Sequence, residues 1–80
     1  MLDWTLLRAF LAVIDTGSLS AAASRIGATQ PTLSRHIREL ETAIGTPLFR
    51  RSVKGLEPTE AALGLVDDAR AMGHAAEALA

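Results

Sequence analysis

The sequence predicts a mainly α fold: a three-helix core, a short two-stranded hairpin and a long C-terminal helix. Apolar residues fall on one face of a helix in three of four stretches, and the second in order is a short alanine-rich run. The first three stretches each stop at a single glycine (Gly17, Gly27, Gly45), and the last three each begin after a hydroxyl residue (Ser18, Thr29, Thr59). A glycine tolerates the left-handed conformation at a helix end, and a hydroxyl accepts an unpaired N–H at a helix start. Between the third and fourth stretches lies a short segment bounded by Pro47 and Pro58 with Gly55 inside it, a pattern that suits a hairpin and not a helix.

The first helix is expected from about Asp3 to Thr16, with Leu6, Leu7, Phe10, Val13 and Ile14 as its buried stripe. A short second helix follows Ser18 and contains Ala21-Ala22-Ala23, whose small side chains let another helix approach closely. Gly27-Ala28-Thr29 then turns the chain into a third helix, which carries Pro31 in its first turn, where no hydrogen bond is lost. That helix runs to Ile44. Leu33, Ile37, Leu40 and Ile44 are its expected buried stripe, and Thr32, Ser34, Arg35, Arg38, Glu39 and Glu41 its other face. Residues 48–58 read as two brief strands around a basic tip. The final helix, capped by Thr59, would be roughly 33 Å long at about 1.5 Å per residue, and its pattern continues through Ala80 with no stop signal, as if the chain ended inside a longer helix. The expected division is residues 1–58 as a compact unit and 59–80 as a projecting helix.

Eighty residues allow one small core, and 49% apolar with 21% charged residues is ordinary globular composition. The absence of cysteine excludes disulfides and thiolate metal sites and fits a reducing compartment. The N-terminus has no basic region followed by an apolar run, and no apolar stretch is long enough to span a membrane. Ser34, His36 and Glu39 hold the letters of a hydrolase triad, but residues two apart on a helix face different ways. His36 and His74 lack metal-ligand spacing and read as surface residues, and Asp67 and Asp68 read as a solvated face. No catalytic, metal or cofactor site is expected in this chain.

The net charge of −1 hides a strong polarity: −1 over residues 1–24, +4 over 25–54 and −4 over 55–80. A basic middle is either a solvated face or a surface for an anionic partner, and the spacing favours the partner. Two helices joined by a tight turn present the second helix to a DNA major groove, with its N-terminal residues nearest the base edges. Those residues are Gln30, Pro31, Thr32, Ser34 and Arg35, and glutamine, arginine and threonine have complementary pairings on adenine, guanine and thymine. Ser18 and Thr29 stand at helix starts whose N–H groups suit a phosphate, Arg38 lies further along the reading helix, and Arg51 and Lys54 sit on the hairpin as cations for phosphate or minor groove. Leu65, Val66, Ala69, Met72, Gly73, Ala76 and Leu79 form a stripe on the last helix, expected to cover its own core at first and to pair with a second copy further on. The rival reading is a helical protein-interaction module that uses this stripe and binds no DNA.

The runs Ser18-Leu19-Ser20-Ala21-Ala22-Ala23 and Gln30-Pro31-Thr32-Leu33-Ser34-Arg35-His36-Ile37, then Leu40-Glu41, Gly45, Leu48-Phe49-Arg50-Arg51 and Thr59-Glu60-Ala61, resemble the N-terminal domain of LysR-type transcriptional regulators over nearly the whole chain. The resemblance implies a winged helix–turn–helix followed by a linker helix that dimerises. It also implies double-stranded DNA with a dyad-symmetric operator as partner, a tetrameric full-length protein, a small-molecule effector bound by a separate C-terminal domain, and a bacterial, cytoplasmic, nucleoid-associated location. Gln30, Pro31, Thr32, Ser34 and Arg35 match the family's reading positions, Lys54 its basic wing tip, and Arg51 an arginine that anchors the wing or meets phosphate. Two positions depart from the pattern: Pro58 replaces an aliphatic residue, which questions the second strand, and Ala62 replaces a glycine.

Overall fold

The computed structural model describes residues 3–79. The elements are α1 (Trp4–Thr16), α2 (Leu19–Ile26), α3 (Gln30–Ile44), β1 (Phe49–Ser52), β2 (Gly55–Pro58) and α4 (Glu60–Leu79). The helix starts are those expected. Asp3 accepts from the N–H of Thr5 at 2.9 Å, Ser18 Oγ from Ala21 at 3.2 Å, and Thr29 and Thr59 Oγ1 from Thr32 and Ala62 at 3.3 Å each. Each bond satisfies one of the N–H groups that a helix start leaves without an intrahelical acceptor. Ala80, to which the final helix was expected to continue, lies outside the described residues.

The core is built on α1. Leu7, Phe10 and Val13 are completely or almost completely buried against Ala22 of α2, Leu33 and Leu40 of α3, Leu48, and Ala62 and Ala69 of α4. Phe10 also meets Phe49 of β1 with ring centroids 5.7 Å apart. Ala9 and Ala12, absent from the expected stripe, are buried too, because α1 is covered on more than one side. Ile44 is the opposite case. Expected in the core, it is 37% exposed, since the last turn of α3 runs past the core before Gly45 turns the chain away.

Pro58 does not prevent the second strand. It pairs with Phe49 at the open end of the antiparallel ladder, where its missing N–H is not needed, and the next N–H, that of Thr59, donates to Leu48 O at 2.9 Å. Thr59 Oγ1 also donates to Pro47 O at 2.8 Å, and Glu41 Oε2 accepts the N–H of Leu48 at 2.7 Å. Pro47 and Leu48 are thereby tied to both α3 and α4, which sets the position of the hairpin relative to α3.

The last helix does not present its apolar stripe as one surface. Ala69 and Gly73, both expected on a pairing seam, are buried under α1 of their own chain. A Cβ built on Gly73 would stand 3.0 Å from Cη2 of Trp4, so the glycine is what admits the indole. Leu65, Val66 and Ala76 are half-buried, while Met72 and Leu79 are 44% and 89% exposed. Leu65, Met72 and Leu79 recur every seventh residue, which leaves an outer stripe beside the buried one.

Candidate nucleic-acid interface

Helix α3 owes its two faces to its sequence. Leu33 and Leu40 are fully buried and Ile37 is 7% exposed, so the rear of the helix is fixed to the core. The front is thereby turned outward. Gln30, Pro31, Arg35 and Arg38 are exposed, and Thr32 and Ser34 are half-buried. Of the described cations on this face, Arg35 is paired, its Nε lying 3.7 Å from Glu39 Oε1. Both partners stay open to solvent, with 61% and 54% of their side-chain surface exposed.

The start of α3 is ordered by its own side chains. Thr29 Oγ1 accepts the N–H of Thr32 and donates to Thr32 Oγ1 at 3.0 Å, which leaves the Thr32 hydroxyl hydrogen free to point elsewhere. Gly27, at φ 69°, makes the sharp turn between α2 and α3 that a residue with a Cβ would resist. His36, expected on the surface, is half-buried, and its Nδ1 is enclosed without a hydrogen-bond partner. The ring lies at the margin between the buried and open faces of α3, a position that helical periodicity does not separate from the exposed one. Ser34, His36 and Glu39 share no catalytic geometry on a continuous helix.

The hairpin stands beside the start of α2. Gly55 takes φ 114°, and a Cβ there would lie 3.3 Å from the carbonyl oxygen of Gly17, the residue before the Ser18 cap. The tip is closed by Ser52 Oγ, which accepts the N–H of Lys54 at 3.1 Å. Arg51 and Lys54 are exposed as expected, whereas Arg50 faces Glu57 across the ladder with its Nε 3.8 Å from a carboxylate oxygen. The sequence alone does not show this pair, since the register that opposes Arg50 to Glu57 depends on which two residues form the turn.

A third cluster holds the frame together away from this surface. Asp15, at the end of α1, accepts from Arg70 of α4 at 2.7 Å and lies 3.8 Å from Arg25 of α2. The hydrogen bond from Arg70, with the positive charges of Arg70 and Arg25, holds the Asp15 carboxyl below its ordinary pKa. Sequence spacing gave no sign of a contact between residues 55 apart. Among the described residues, no group of three His, Cys, Asp or Glu side chains is placed to hold a metal ion, and no helix is long and apolar enough to cross a membrane.

Three helices with a tight turn before the third, a two-stranded hairpin beside them, and polar and cationic side chains along the open front define a DNA-binding winged helix–turn–helix. Residues 4–63 match the profile of bacterial regulatory helix-turn-helix proteins of the lysR family, and the chain belongs to that family. It is 38% identical over 76 residues to the HTH-type transcriptional regulator ClcR of Pseudomonas putida, covering 95% of this chain and 26% of ClcR. It is 46% identical over 63 residues to the regulator BudR of Klebsiella aerogenes, covering 79% of this chain and 44% of BudR. The chain thus spans less than half the length of either relative. The solved complex of the CbnR DNA-binding domain with DNA superposes with a TM-score of 0.88 at 34% identity, covering 95% of this chain and 87% of that one.

Proposed function

We propose that this chain is the sequence-reading head of a LysR-type regulator and binds double-stranded DNA without covalent chemistry. The observation that carries the reading is the division of α3: a rear face buried in the core and a front face with Gln30, Pro31 and Arg35 open at its N-terminal end. In this reading the front of α3 enters the major groove, where Arg35 meets guanine and Gln30 adenine, with Thr32 and Ser34 beside them. Arg38 and the N–H groups behind Ser18 and Thr29 meet phosphates and fix the register. Arg51 and Lys54 take the adjacent minor groove or its phosphates.

Residues 1–58 form the reading head and 59–80 the linker, through which two copies pair on a dyad-symmetric site. The outer stripe of Leu65, Met72, Ala76 and Leu79 is the seam, with Val66 at its edge. Ala69 and Gly73 support it from inside their own chain. The complete regulator is a tetramer in the bacterial cytoplasm, associated with the nucleoid, and takes its small-molecule effector in a domain beyond this one.

The test is selection of bound duplexes from a random library, followed by titration of salt on the selected sequence. The expected result is an enriched motif with two related half-sites and an affinity that falls with salt at a log–log slope of about −0.9 per neutralised phosphate. No retention of duplex at low salt would overturn the reading.

A further inference from the structure

The ion pair between Arg35 and Glu39 is not explained by helix stability. An exposed pair four residues apart contributes little, and the order with the arginine first is the weaker one. It is also unhelpful to plain affinity, because a carboxylate on the surface that meets DNA is repelled by every phosphate. Yet Glu39 stands one turn along α3 from Arg35, on the open face, with its Oε1 3.7 Å from the arginine Nε. Arg38, three residues on, lies about one turn from Arg35 on its other side and offers the guanidinium a like charge and no partner.

We infer that Glu39 is a positioning and specificity-determining residue, which holds the Arg35 guanidinium for guanine and away from phosphate. The inference rests on the DNA-reading function proposed above. A carboxylate drawn to the Nε side, 3.7 Å away, leaves the two terminal nitrogens of the guanidinium unengaged and able to act as a fork. Guanine offers that fork two neutral acceptors, O6 and N7. A phosphate offers acceptors too, but its charge opposes the nearby carboxylate. Without Glu39, the long arginine side chain is free to swing to the backbone of any sequence and to gain affinity there without reading a base. The carboxylate therefore sacrifices general affinity and gains discrimination.

The experiment compares the wild-type chain, E39Q, R35A and the double variant on the duplex that the wild type selects and on a scrambled duplex of equal length. For E39Q the ratio of the two affinities is expected to fall about tenfold, chiefly because the scrambled duplex is bound more tightly. In the R35A background the same substitution is expected to change the ratio by less than about twofold, since the effect passes through the arginine. An unchanged ratio in E39Q overturns the inference, and so does an undiminished effect when Arg35 is absent, which would make Glu39 act on the DNA directly. A wild-type chain that selects no duplex is a different failure: it removes the DNA-reading function itself and this inference with it.

Discussion

Replacing Thr59 by valine exchanges one hydroxyl for a methyl group of nearly the same size at the point where the hairpin, the turn after α3 and α4 meet. Two hydrogen bonds disappear: the cap to the N–H of Ala62 at 3.3 Å and the donation to Pro47 O at 2.8 Å. The backbone bond from the Thr59 N–H to Leu48 O remains, so the chain keeps its path. Loss of a helix cap costs about 1 kcal/mol and loss of the second bond about as much again, for a total of about 2 kcal/mol. With an unfolding entropy of about 2.1 cal/mol/K per residue, a domain of this length loses about 6 °C for each kcal/mol, which makes the expected fall in Tm about 12 °C. The assay is thermal unfolding followed by circular dichroism at one fixed protein concentration, with T59S as control. Serine keeps the oxygen, so it should lose less than half as much. A T59V midpoint within about 3 °C of the wild type would refute the idea that this hydroxyl fastens α4 to the hairpin.

Four further outcomes follow from the geometry. R35A should weaken binding to the selected duplex by about 5- to 150-fold and relax preference at a single base pair, read by titration against single-position variants of that duplex. K54A should make the salt slope shallower by about 0.9 with no change in sequence preference, if the exposed wing-tip cation meets one phosphate. Leu33 is fully buried behind the reading face, so L33A should cost about 2–5 kcal/mol, measured by urea unfolding. Asp15 has its pKa lowered in the folded chain, so its stabilising contribution is complete above the ordinary carboxylate range and disappears as pH falls through the lowered value. The difference in Tm between wild type and D15N, no more than about 5 °C for so exposed a group, should therefore be constant near neutrality and vanish as the medium becomes strongly acidic.

The apolar spacing located α1, α3 and α4, an alanine run between a hydroxyl and a glycine located α2, and hydroxyl caps and glycines placed most of the helix ends, because these signals depend on neighbours within a turn or two along the chain. The same spacing put Arg35 and Arg38 on the open face of α3, since anything opposite Leu33, Ile37 and Leu40 must point away from the core, whereas Gln30, seven residues before Ile37 and on the apolar side by period, is exposed at the first position of the helix. It failed where the answer depends on what lies opposite. Ile44 belongs to the apolar stripe of α3 by period, but it is 37% exposed in the last turn of the helix, just before Gly45 turns the chain. Glu41 belongs to the polar face by the same period, yet the returning chain brings the N–H of Leu48 to its carboxylate.

The order of elements, the amphipathic division of the reading helix and the family are legible in the chain before it folds, because each is written in local spacing and in residue type. Tertiary structure alone decided which half of the α4 stripe is consumed within the chain. Ala69 and Gly73 are buried where α4 packs on α1, with Trp4 against Gly73, whereas Met72 and Leu79 stay outside, a choice set by which side of α4 meets α1. It also decided the charge partners, Arg50 with Glu57 by strand register and Asp15 with Arg70 by the packing of α4 on α1. The range of the forces separates the two sets. Helical period and capping act over a few residues, while register, crossing angle and long-range ion pairs exist only once distant segments have been brought together by the burial of a common core.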